Sequence, residues 1–136
     1  MDHPILDGLP LTHPPGIGGY NRVKPKPDAE VLLSARHFAV QVRLSDGVKD
    51  PGRDDRLGSE YTFTPGERAP LLVVGRHGLG RTAAFTSDVA PHWVGGFVDW
   101  GPDRVQIRAP GADEIDVGSH YAAFFTRLIR WTGGEG

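Results

Sequence analysis

An apolar run, a glycine-rich turn and a second apolar run constrain this chain more than any other feature. Residues 69–75, with Leu71, Leu72, Val73 and Val74, come first; Arg76, His77, Gly78, Leu79 and Gly80 form the turn; residues 81–88, with Ala83, Ala84 and Phe85, lead back. Uninterrupted apolar content reads as a strand covered on both sides, and glycine supplies the left-handed backbone that a tight hairpin needs. The expectation is a β-hairpin buried on both faces. A glycine cluster of this kind could instead cradle a phosphate, but such a loop must open a helix, and the residues after Gly80 read as strand.

The rest of the chain supplies shorter elements. Residues 29–34 have the composition of a short buried strand, and residues 37–44 alternate, with Phe38, Val40, Val42 and Leu44 on one side. Residues 60–64 read as a short returning strand. Between them, residues 45–60 hold only Val48 and Leu57 as apolar anchors and read as a mobile loop. Tyr121, Phe124, Phe125, Leu128 and Trp131 recur at helical spacing, so a helix is expected over 119–131, stopped by Gly133 and Gly134. Arg127 and Arg130 in its last turns suit the helix dipole. With 19 glycines and 12 prolines, a helical bundle is excluded in favour of short elements and ordered loops. The length of 136 residues fits a single domain of the α/β class, a sheet of about five short strands carrying one C-terminal helix.

Charge and composition narrow the function. Fifteen Lys and Arg against 17 Asp and Glu leave a net charge of −2, which gives no basic field for nucleic acid. The longest apolar run, 121–125, falls far short of the roughly 20 residues that span a bilayer. Residues 1–4 show no signal-peptide pattern, so a cytoplasmic domain is expected. There is no cysteine, which removes disulfides, thiolate metal sites and a cysteine nucleophile from this chain. The six histidines, His3, His13, His37, His77, His92 and His120, follow no metal-ligand spacing, so neither a metal nor a cofactor is expected.

One segment concentrates groups with chemistry. Thr86, Ser87, Asp88, Val89, Ala90, Pro91, His92 and Trp93 leave the end of a buried strand, where open α/β sheets place their ligands. His92 could act as general acid or base, with Asp88 orienting it or binding a hydroxyl. The competing reading is a capped loop, with Asp88 bonding backbone amides and Trp93 plugging the edge of the core. Asp113, Glu114 and Asp116 read as a dipole-complementing cap ahead of the final helix, rather than as paired catalytic acids or a calcium loop. Trp93, Phe97 and Trp100 could stack on a sugar ring or serve as core and interface anchors.

Several stretches together resemble a known family. They are His3-Pro4-Ile5 with Gly8-Leu9; Gly19-Tyr20-Asn21-Arg22; Lys26-Pro27 with 29–33; and 70–75 with Gly78, Gly80 and Arg81. The run 84–93, which carries SDVAPHW, and the closing Arg130-Trp131 complete the set. They resemble the C-terminal half of the putative glutamine amidotransferase family, within the flavodoxin-like class I glutamine amidotransferase superfamily. The resemblance implies part of a flavodoxin-like three-layer domain, its sheet parallel. It also implies a chemistry that this chain supplies incompletely: in that superfamily a cysteine attacks glutamine, helped by a histidine and a glutamate. The loop of His92 is similar to the one carrying the triad histidine, yet Val94 stands where His-x-Glu would place its acid. Val89 stands where members of the family often carry cysteine.

The expectation is therefore a glutamine amidotransferase-like domain without glutaminase activity of its own, acting as a binding or structural module. The alternative is a hydrolase or isomerase on a small polar or sugar-like substrate, using Ser87, Asp88 and His92. Trp93, Trp100, Asn21 and Arg81 are the candidate ligand-binding residues. Half of a flavodoxin-like sheet would leave an open apolar strand edge, so a homo-oligomer, or pairing with a missing N-terminal half, is expected.

Overall fold

In the computed structural model the chain is described over residues 2–44, 59–89 and 91–135, the side chains of Ser59, Pro91 and His92 excepted. It divides into two compact units, one made of Met1–Ser34 with Pro70–Gly136, the other of Ala35–Ala69.

The first unit is built on the expected hairpin. Strand β2 (Ser59–His77) pairs antiparallel with β3 (Gly80–Phe85), from Leu72 opposite Phe85 to His77 opposite Gly80. Gly78 takes φ +57°, as a two-residue hairpin turn with glycine in first place requires. Leu71, Leu72, Val73 and Val74 are all buried, but β3 is covered on one face only, where Arg81, Ala83 and Phe85 are half-buried between exposed neighbours. Burial on both faces therefore holds for the first arm of the hairpin alone. The reason lies in strand order, β1-β2-β3 with β1 at Glu30–Leu44, which leaves β3 on the margin of the sheet.

Helix α2 (Ser119–Thr132) buries Tyr121, Phe124 and Leu128, the stripe its spacing predicts, and Gly133 caps its end. These three join Ile5, Leu6, Leu32, Leu72, Val74, Val94, Phe97 and Val117 in one core. The Phe85 ring reaches Phe97, Phe124 and Phe125 at 5.4–5.8 Å, tilted against the first two and edge-on to Phe125, so aromatic packing ties hairpin to helix.

The start of α2 corrects the expected acidic cap. Its first turn contains no acidic residue, and its N-cap is Gly118. The Ser119 amide donates to the Asp103 carbonyl, and those of His120 and Tyr121 donate to the Trp100 carbonyl, so backbone already satisfies these donors. Asp116 lies instead on β5 (Ile115–Gly118), which pairs antiparallel with β4 (Arg104–Ile107). There Arg104 bridges Asp116 at 2.9 Å and Asp99 at 2.8 Å on the surface.

In the second unit the strands expected at 37–44 and 60–64 belong to longer ones. The strands expected over 29–34 and 37–44 merge into the 15 residues of β1, which begins at Glu30, and 60–64 falls at the start of the 19 residues of β2. Pro65 is tolerated because β3 pairs with β2 only over 72–77, so the missing amide falls on a stretch without that neighbour. Of the mobile-loop expectation at 45–60, residues 45–58 lie outside the described residues.

Both described ladders are antiparallel, and the molecule is mixed α/β. No helix among the described residues is long and apolar enough to cross a membrane.

Candidate functional site

The segment after β3 is held in place by its own polar groups. Thr86 is buried; its hydroxyl donates to the Pro70 carbonyl at 3.0 Å and its amide to Leu71 at 2.8 Å. Its own carbonyl accepts the Asn21 amide at 2.8 Å, which moors the N-terminal loop to the end of the hairpin. Ser87 donates its hydroxyl to the Gly19 carbonyl at 2.7 Å. Asp88 Oδ1 accepts the amides of Trp93 and Val94 at 3.2 and 3.1 Å, closing the loop onto the single turn of α1 (Pro91–Val94). Backbone bonding of Asp88 is the capped-loop geometry that the sequence offers as one of two readings.

Glycine makes the close packing of this region feasible. The Trp93 carbonyl accepts the amides of Gly18 and Gly19 at 2.6 and 3.2 Å, and a Cβ on Gly19 would lie 3.2–3.4 Å from the Trp93 ring. Gly95 takes φ +52° and faces the Gly18 amide. The glycines of the N-terminal loop therefore let two backbones approach.

The predicted residues are brought together in part. Ser87, Asp88, Trp93 and the backbone of Asn21 meet around this loop, while the Asn21 side chain is exposed. The His92 side chain lies outside the described residues. Trp93 is 41% exposed, so it does not plug the core edge; Val94, fully buried, fills that place. Phe97 belongs to the core, and the Trp100 ring lies 5.6 Å from it and 5.3 Å from the ring of His120. Arg81 is engaged at the other end of α2. Its guanidinium donates to the carbonyls of Trp131 at 3.1 Å and Glu135 at 3.4 Å, and lies 5.3 Å from the Trp131 ring.

Two further groups make contacts that local sequence patterns do not reveal. The Tyr121 hydroxyl, at the tip of a core side chain, donates to the Val89 carbonyl at 3.2 Å. Burial pushes this phenol above its ordinary range and the nearby Asp88 charge pushes it further, so it serves as a neutral donor. His3 packs its ring 5.1 Å from Trp131 and accepts the Ile5 amide at 3.3 Å. Helical spacing marks Tyr121 as core but says nothing of where its hydroxyl ends. Among the described residues, no cluster of three His, Asp or Glu side chains is placed to hold a metal ion.

Residues 56–105 match the model of a family described as putative glutamine amidotransferase. The matched stretch holds the hairpin, the Ser87–Asp88 loop and α1, and over it the chain is similar to that family. No curated protein matches the chain.

Proposed function

We propose that this chain is a glutamine amidotransferase-like domain, on a flavodoxin-like ground plan, that works in the cytoplasm as a binding or structural module and catalyses no glutaminase reaction on its own. The observation that carries the reading is the pair of backbone amides held by Asp88 Oδ1, which gives the carboxylate a capping role. Two features support it. Glutamine hydrolysis by covalent catalysis needs an activated nucleophile, and the sequence contains no cysteine. The Ser87 hydroxyl directs its proton at the Gly19 carbonyl oxygen, which does not remove it as a base would. The half-exposed Trp93 indole is the surface that this segment offers to a small polar ligand.

The test is a pair of variants at Asp88. Asparagine keeps an acceptor oxygen and caps as well as aspartate, whereas alanine loses about 1 kcal/mol of stability. Chemical denaturation should place Asp88→Asn within a few tenths of a kcal/mol of the parent, with Asp88→Ala about 1 kcal/mol below both. Equal stability of all three would overturn the structural role and return the carboxylate to chemistry.

A further inference from the structure

The second unit carries an apolar face that nothing among its described residues covers. Within β1, Phe38, Val40, Val42 and Leu44 share one side by alternation, and within β2 so do Tyr61 and Phe63. The close approach at Gly66 decides how the two sets combine. A Cβ on Gly66 would lie 3.4 Å from the Cβ of His37, so Gly66 and His37 share a face. Counting by twos from His37 and from Gly66 puts His37, Gln41, Arg43, Glu60 and Thr62 on that polar side. The six apolar residues therefore all lie on the other side. They are 49–75% exposed.

Such a ribbon does not hold itself. Among the described residues of this unit only Ala35 is buried, and two strands without a covered face are marginal in water. We propose that this face packs against the same face of a second copy of the chain, giving a two-layer, four-stranded sandwich around a two-fold axis. Area favours this occupant. With side chains of ~100–250 Å² half or more exposed, the patch offers on the order of 500 Å². Two such patches with their polar rims reach the roughly 1,200 Å² at which specific interfaces begin. Layers of two ribbons also fit the ~10 Å spacing of stacked sheets. Charge permits self-association, because among the described residues Arg36, seated 5.9 Å from the Phe38 ring, and Glu67 are the charged ones on this face and are of opposite sign.

Sedimentation equilibrium of the full chain tests the proposal. The parent should reach twice the chain mass at about 100 μM and dissociate on dilution. Phe63→Glu should weaken the dimer at least about tenfold, while Thr62→Glu on the opposite face leaves it within about twofold. Circular dichroism of both variants establishes that the fold persists. A parent that stays monomeric overturns the proposal and assigns the face to a different occupant. A dimer that Phe63→Glu leaves intact, or that Thr62→Glu weakens as much, overturns it as well.

Discussion

Among the candidate residues of the sequence, Ser87, Asp88 and Arg81 spend polar atoms on backbone, and so does the nearby Tyr121. Asp88 holds two amides, Ser87 and Tyr121 each serve one carbonyl, and Arg81 serves two. His3 offers a test that is separate from that loop. Burial lowers its pKa from 6.5, the Arg81 charge lowers it further, and Glu30 opposes both. The folded state thus favours the neutral ring. Its contribution to stability is complete above pH 6.5 and is lost as the pH falls through the lower folded value. Between about pH 7.5 and about pH 5 the melting temperature of the parent should fall more than that of His3→Gln. Parallel curves would show that His3 does not titrate against the fold. At this scale the sequence reads well where a residue acts on near neighbours. Asp88 as a cap follows from its place five and six residues before the amides it holds. The partners of Arg81, 50 and 54 residues away, depend on how hairpin and helix pack, and no local pattern encodes them.

Elements with a strong internal period are the legible ones. The helix expected over 119–131 is observed at Ser119–Thr132, and the hairpin turns at Gly78 as glycine spacing demands. The acids at 113–116 mislead because a helix start can be capped by carbonyls from elsewhere in the chain, here those of Trp100 and Asp103. That capping dictates a glycine. A Cβ at Gly118 would strike the backbone of Asp99 and Trp100, which no side-chain rotation relieves. Gly118→Ala should therefore cost about 2 kcal/mol or more in chemical denaturation, as overpacking at a rigid contact does. A loss of only a few tenths would mean that the helix start has room to shift. Strand lengths were less legible. Pro65 and Gly66 interrupt the pattern, yet β2 passes through both, since β3 reaches only residues 72–77 of β2 and one side of the strand has no β3 partner there to lose.

For the whole molecule, the family match spans residues 56–105, so the likeness is to a stretch that runs from before β2 into β4. The mixed α/β character was readable from composition and period. The division into two compact units was not, because it depends on which residues pack together in three dimensions. The absence of cysteine changes its meaning once the Ser87–Asp88 loop is seen as a strap that fastens the N-terminal loop, the end of the hairpin and α1. The central proposal is that a chain with an amidotransferase-like stretch does not itself hydrolyse glutamine. Glutamine labelled with ¹⁵N in its side-chain amide, incubated with the purified chain and followed by NMR, tests this directly. The account predicts that the amide signal persists at the buffer rate; labelled ammonium appearing in proportion to chain concentration would contradict it.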